Sequence, residues 1–403
     1  MKLKQRPEDF RVEELTDATA GSAGEFAFYR LDKTGWTTPD ALAAIRRRWQ
    51  IDFRRLSYGG LKDRHAITSQ HLTIAGGPKR DLGHERITLT YLGQRAEPFT
   101  ASDIRANRFA ITLRALSAGQ AARAAGALRE VADAGVPNYF DDQRFGSVGD
   151  AGSSGAAALE GPAPQRPALE FVAKEMVFGR FERALWLALA APYEFDRAEA
   201  RREKATLRDF WGKWPECQAQ LPKGHPRSIV SYLSAHPTDF KGAVARLRPE
   251  LQGLYLSAYQ SYLWNLMLAA WLTSTLGAAH LTALDLKLGP LPAPVRVPDE
   301  QQAAWEALTL PLPSARVKPE AGAHWLPVVE AVLKTEGLTL AELKIKGMQK
   351  PFFSKGERAA CVRPSNVSQD TGPDELNRGR VKLELRFDLP RGCYATLVVK
   401  RVS

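Results

Sequence analysis

The stretch Tyr58-Gly-Gly-Leu-Lys-Asp-Arg-His-Ala-Ile-Thr-Ser-Gln-His-Leu-Thr-Ile74 carries a loop straight into a strand. Its two glycines permit a tight backbone path that larger residues resist. Asp63 follows, set between the cations Lys62 and Arg64. From Ile67 to Ile74 the β-branched, alternating text reads as a strand, with Leu72 and Ile74 on one face and His71 and Thr73 on the other. Asp63 therefore sits on a loop that feeds a sheet. Neighbouring cations keep such an aspartate ionised at neutral pH, as a nucleophile or an electrostatic stabiliser must be. The competing reading of the same residues is a surface turn of solvated charges.

Toward the N-terminus, residues 6–15 (Arg-Pro-Glu-Asp-Phe-Arg-Val-Glu-Glu-Leu) read as a proline turn and then a short strand, in which Phe10 and Val12 alternate with Arg11 and Glu13. Glu25 to Leu31 is apolar on both faces and reads as an inner strand. Thr38-Pro39-Asp40 supplies an N-cap, a first-turn proline and a first-turn acid. Leu42, Ile45 and Trp49 follow at helical spacing, with Arg46, Arg47 and Arg48 mostly outward. Neither a GxGxxG nor a GxxxxGK[ST] segment is present, so no dinucleotide or P-loop site is supported. Asn107 to Leu113 reads as a further strand, and Ser117-x-x-Gln120 as a capping box for a helix that Gly135 ends.

The segment Val136-Pro-Asn-Tyr-Phe-Asp-Asp-Gln-Arg-Phe-Gly146 is the second dense cluster. Aromatic faces stack on bases, an amide reads a base edge and a guanidinium takes phosphate; equally, such text builds an aromatic corner of a core. Residues 146–168 are rich in Gly, Ser, Ala and Pro and read as a linker or loop. From there to about residue 345 the text is mainly helical: Phe178 to Ala191, Phe195 to Trp211, Ile229 to Leu247 and Leu251 to Ser274. In the last of these Leu256, Tyr259, Leu263, Leu266 and Ala270 make a buried face. Arg197, Arg201, Arg202 and Lys204 form a basic helix face. Val381, Leu383, Leu385 and Phe387 then mark a half-buried strand, and Cys393 to Arg401 is expected to return as a second strand after the turn at Leu389-Pro-Arg-Gly392. Strand text at both ends, with helices between, indicates a discontinuous core carrying an insertion.

The 403 residues include 56 Lys and Arg against 45 Asp and Glu, a net charge of +11, with a pI of about 9.5. That excess favours a polyanionic partner. Cys217, Cys361 and Cys393 lie far apart without ligand spacing, against a disulfide framework or zinc site. The apolar segment Leu254 to Leu272 is broken by polar residues and is too short to span a membrane. Met1 to Phe10 has no apolar core for a secretory signal. A cytoplasmic protein is expected, with monomer as the default and no protein partner implied.

Taken together, four segments resemble the TruD family of tRNA pseudouridine synthases: Arg6-Pro-Glu-Asp-Phe10, Gly60-Leu-Lys-Asp-Arg-His-Ala-Ile-Thr-x-Gln70, Asn138-Tyr-Phe-x-x-Gln-Arg-Phe-Gly146 and Leu389-Pro-x-Gly-x-Tyr-Ala-Thr396. The helix Leu256 to Asn265 is similar to one in that family's inserted domain. The resemblance implies an α+β fold, a pseudouridine synthase core with a mixed, largely antiparallel sheet and flanking helices. The core would comprise residues 1–155 and 346–403, with a mainly helical insertion over 156–345. It further implies Asp63 as the catalytic aspartate, Phe10, Asn138 and Tyr394 lining the uridine site, and Lys4 as a nearby basic residue. The expected substrate is tRNA, at uridine 13, with no cofactor and no metal. Asp141, where the family usually has glycine, and Cys393, where it usually has a small hydroxyl residue, depart from its pattern. Two other functions stay open on the residues alone. One is an RNA-binding protein without catalysis. The other is a glycosidase or nuclease, which would need a second carboxylate such as Asp141 or Asp142, pictured there as solvent-facing.

Overall fold

The computed structural model describes residues 1–146, 169–193, 196–348 and 350–403, so the expected linker lies outside the described residues from position 147 on. They form two compact units. One comprises Met1–Asn138, Pro294–Val297 and Cys361–Ser403, the other Tyr139–Ala293 and Pro298–Ala360.

The first unit is built on a ten-stranded sheet. Its strands are β1 (Lys2–Leu3), β2 (Phe10–Thr16), β3 (Phe26–Thr34), β4 (Leu56–Tyr58), β5 (Ile67–Ala75), β6 (Leu82–His84), β7 (Ile87–Arg95), β8 (Ile104–Leu116), β9 (Ser365–Pro373) and β10 (Val381–Pro390). The order is β9-β10-β8-β2-β5-β3-β7-β6, with β1 added to β8 and β4 to β5. Only β2 and β5 run parallel; the other pairs are antiparallel. The sheet is thus mixed and largely antiparallel, within an α+β fold. Because side chains alternate along a strand, register defines the faces. Lys33 pairs with Thr68, Thr68 with Val12, Val12 with Phe109 and Phe109 with Phe387, so these five lie in one row on one face.

Helix α1 (Thr38–Trp49) covers that face beside β3 and β5, setting Ala41, Leu42 and Ile45 against Tyr29, Leu72 and Ile74. Its N-cap is Thr37, one residue earlier than the sequence implies: the Thr37 hydroxyl accepts from the Asp40 N–H at 3.2 Å. Thr38 is thereby free to turn inward. Helix α2 (Ala118–Ala134) has the expected Ser117–Gln120 capping box and ends at Gly135, whose φ is +74°. It packs on β10 and on the C-terminal helix Ala395–Val402.

That last helix corrects the expected hairpin. The chain leaves β10 and passes Gly392 at φ +82°, then coils so that Ala395, Val398, Val399 and Val402 are buried. Their three- and four-residue spacing is helical; the β-branched valines suggested a strand, and tertiary burial overrode that preference.

The second unit is mainly helical. The expected Phe178–Ala191 helix runs Phe181–Leu189, and Gly179, at φ +73°, separates it from a preceding short helix, Val172–Val177, that the sequence reading did not include. Pro237 lies in the break between His225–Ala235 and Phe240–Ala245, expected as one helix. Phe195 is outside the described residues, and the helix there runs Ala198–Asp209. The long helix Pro249–Leu276 buries Leu256, Tyr259 and Leu263 of the expected face, leaves Leu266 and Ala270 half-buried, and adds Tyr255, Trp264, Met267, Leu268 and Trp271. A helix apolar nearly all round belongs inside a core. Among the described residues no helix is long and apolar enough to cross a membrane.

Candidate active site

The loop between β4 and β5 starts with a steric demand at one glycine. A Cβ on Gly59 would lie 2.4 Å from Ile104 Cδ1, whereas one on Gly60 would meet nothing within 4 Å. From there the loop is hung on buried polar groups. Gln70, fully buried on β5, donates to the Gly60 carbonyl at 3.1 Å and accepts from the Thr38 hydroxyl at 2.8 Å. The same hydroxyl accepts from the Lys62 N–H at 2.9 Å.

The cations adjacent in sequence are not the ones that hold the Asp63 carboxylate. The Lys62 ammonium turns away to Asn107 Oδ1 at 2.6 Å and to the buried Glu14 carboxylate at 3.0 Å. Burial drives the Glu14 carboxyl upward, yet bonds from His71 and the charge of Lys62 outweigh it and hold the pKa below the ordinary range. Arg64 donates to the Gly35 carbonyl at 3.2 Å.

The cation at Asp63 comes from the other end of the sequence. After Leu3 pairs with Leu113, Lys4 turns into the left-handed region at φ +54°, a conformation non-glycine residues rarely adopt. Its ammonium donates to Asp63 Oδ2, and the His65 N–H donates to Oδ1 at 2.9 Å. Burial raises the Asp63 pKa, but these two donors outweigh it and hold the carboxyl below its ordinary value. The side chain stays 27% exposed, so an ionised carboxylate faces the surroundings. Lys4 Nζ also stands 4.1 Å from the centre of the Phe10 ring. Phe10 meets Phe109 edge-on at 6.3 Å, and Phe109 lies 5.6 Å from Phe387. One strongly held carboxylate is thus set beside an apolar aromatic floor.

The Arg6-to-Phe10 motif owes its position to Arg114, which is 1% exposed on β8. Its guanidinium donates to Asp9 at 2.8 Å, Asp374 at 2.9 Å and Glu375 at 3.0 Å. This clamp holds the turn Pro7–Asp9, and with it the approach of Lys4 and Phe10.

Lys4 is therefore in direct contact with both Asp63 and Phe10. Asn138 is buried just after the ribbon of Val136–Pro137 with Cys361–Val362, and the half-buried Tyr394 is the N-cap residue of the C-terminal helix. Both belong to the same unit as the trio. The residues after Asn138 correct one reading. Tyr139, Phe140 and Phe145 are buried in the second unit, a core corner and no base-stacking surface. Tyr139 donates to the Pro292 carbonyl at 2.8 Å, and Asn265 closes both backbone groups of Phe140, at 2.8 and 2.9 Å. Asp141, pictured as solvent-facing, is 2% exposed, and Asp142 accepts from the Lys287 N–H at 2.8 Å.

The sequence reading missed Glu14, Lys33, Gln70 and Arg114. Glu14 and Lys33 each put a charge at an inward phase of an apolar strand, a legible signal. Arg114 has no such local mark, since its three partners are distant in sequence.

The family model described as tRNA pseudouridine synthase D (TruD) matches residues 1–402. The chain belongs to the TruD family. It is a tRNA pseudouridine synthase, an isomerase. Among TruD relatives it is 29% identical to the probable tRNA pseudouridine synthase D 1 of Methanococcus maripaludis, covering 100% of this chain and 99% of that one. It is 27% identical to tRNA pseudouridine synthase D of Aquifex aeolicus, over 100% and 98%. The crystal structure titled as a putative TruD of Methanosarcina mazei superposes with a TM-score of 0.73 at 27% identity, covering 99% of this chain and 92% of that one.

Proposed function

We propose that Asp63 is the reacting carboxylate and that the enzyme acts on uridine 13 of certain tRNAs. The observation carrying this reading is the ionised Asp63 held by Lys4 next to Phe10. Isomerisation breaks the N1–C1′ bond, turns the uracil and joins C5 to C1′, with no net redox change. Both routes to cleavage use an ionised aspartate: attack on C1′, or removal of a ribose C2′ proton to give a glycal. On the first route the bonding pair leaves with N1, the turned uracil re-attacks through C5, and Asp63 departs. The C5 proton passes to solvent and N1 gains one. The freed uracil is retained by Phe10, Asn138 and Tyr394 through stacking and amide contacts. The target base has to leave its stack, and the excess positive charge holds the tRNA phosphates. Three cysteines far apart in the chain suit a reducing cytoplasm.

The test is incubation with unmodified tRNA and chemical mapping of pseudouridine. Modification at position 13 is expected; modification confined to another position contradicts the assignment.

A further inference from the structure

Lys33 has no part in the chemistry above, yet it is the most unusually placed charge in the first unit. It lies near the end of β3, 2% exposed, in the inward row with Thr68 and Val12. Its ammonium donates to the carbonyls of Trp36 at 2.8 Å, Asp63 at 3.0 Å and Lys62 at 3.3 Å. Three donors meet three acceptors, so the group is satisfied. None of the three is a carboxylate, although buried lysines are ordinarily paired with one. What the buried charge secures is two consecutive carbonyls of the loop that presents Asp63.

We propose that Lys33 is a positioning residue: by gripping the Lys62 and Asp63 carbonyls from beneath, it fixes where the Asp63 carboxylate points. The proposal rests on Asp63 being the reacting group. Other ties reach the same loop on either side of the Asp63 backbone, with Arg64 downstream donating to the Gly35 carbonyl. Gln70 holds Gly60, Thr38 holds the Lys62 N–H, and Glu14 with Asn107 hold the Lys62 side chain. At Asp63 itself the backbone grip is Lys33.

The grip depends on protonation. Burial, the largest influence, pushes the Lys33 pKa down to about 8; Asp63 raises it and Lys62 lowers it. Those two are the charged groups facing the ammonium. Its neighbours Thr68 on β5, Ile87 on β7 and Thr38 of α1 carry none. Loss of the proton above about pH 8 removes the charge and one N–H, and the loop carbonyls lose part of their hold.

The test uses the full-length enzyme with unmodified tRNA, measuring tritium release from C5-labelled uridine and tRNA affinity by filter binding. Lys33→Met keeps the side chain's length without its charge. A misplaced reacting group can cost about 10²-fold, so kcat is expected to fall about that much, with KM and Kd changed by less than about threefold. Lys33→Arg keeps a charge that does not titrate in this range. The wild-type fall in kcat through about pH 8 should vanish in Lys33→Arg, after each profile is scaled to its own maximum. Ionisation of the RNA is common to both proteins and cancels.

A kcat for Lys33→Met within about threefold of wild type, a loss appearing in KM, or an alkaline limb that persists in Lys33→Arg overturns the proposal. If Lys33→Met does not fold, the two remaining profiles decide. Asp63→Asn is assayed alongside. Turnover surviving there refutes the nucleophile reading and the Lys33 role with it, whereas its loss combined with a normal Lys33→Met refutes Lys33 alone.

Discussion

Replacing Lys4 by Met should give the enzyme an acid limb that the wild type lacks. In the folded protein burial pushes the Asp63 pKa up, and the Lys4 ammonium and the His65 N–H more than compensate. Without the ammonium, burial is opposed only by the His65 N–H and the charge interaction with His65, so the carboxyl should rise from its depressed value. An adjacent opposite charge is worth about 1–3 pKa units, or about 1.4–4 kcal/mol between the two protonation states. The sign follows directly: a depressed carboxyl keeps its charge as pH falls and loses it only below the ordinary range. Wild-type turnover should therefore be flat from about pH 7 down to about pH 5, below the onset of the Lys33 limb, while that of Lys4→Met should begin to fall at a higher pH than the wild type's. At pH 7.5 both carboxylates are ionised, so any deficit there measures lost orientation. Single-turnover tritium release from C5-labelled tRNA between pH 5 and pH 8 reads both quantities. Parallel acid profiles for the two proteins would refute the pairing as the source of the Asp63 charge.

Two further outcomes concern the frame. Arg114→Met leaves Asp9 and Asp374 buried without their partner and should cost about 3–5 kcal/mol in urea unfolding; a loss under about 1 kcal/mol contradicts the clamp. Asp374, held down to about 2 against burial by the Ala115 and Leu376 N–H groups, Asn377 and Arg114, contributes stability that is present above its ordinary pKa and lost as pH falls through about 2, and the part owed to Arg114 should fade from the deficit over the same range. Asn265→Leu strips both backbone partners from Phe140 and should destabilise the protein by about 1–3 kcal/mol for each buried group left unpaired; an unchanged unfolding curve would refute that role.

Much of the sheet could be read because its strands alternate cleanly: Phe10 with Val12, Leu383 with Leu385, Ile67 onward. The capping box at Ser117 and the glycine stop at Gly135 fixed α2 for local reasons. What failed was decided at a distance. Val398, Val399 and Val402 have strand propensity, but the surface they pack against selects a helix. The text of Tyr139 and Phe140 left base stacking and a core corner equally open, because nothing local reveals Asn265, 125 residues away, closing on the Phe140 backbone. At the candidate site the loop and its aspartate were legible, the electrostatics were not. Lys62 and Arg64 flank Asp63 in the chain, yet the ammonium that meets it belongs to Lys4, delivered by a strand pairing at Leu3 and a buried clamp at Arg114.

The claim that Asp63 does the chemistry has a direct test in Asp63→Asn. The amide is nearly isosteric and can still accept the His65 N–H, while the negative charge is gone. Phosphate contacts and the aromatic floor are untouched, so tRNA affinity should stay within about tenfold of wild type, about 1.4 kcal/mol. Tritium release from C5-labelled uridine, measured beside filter binding, should be undetectable. Substantial release by a variant that binds tRNA normally would contradict the account and return the loop to the status of a surface turn.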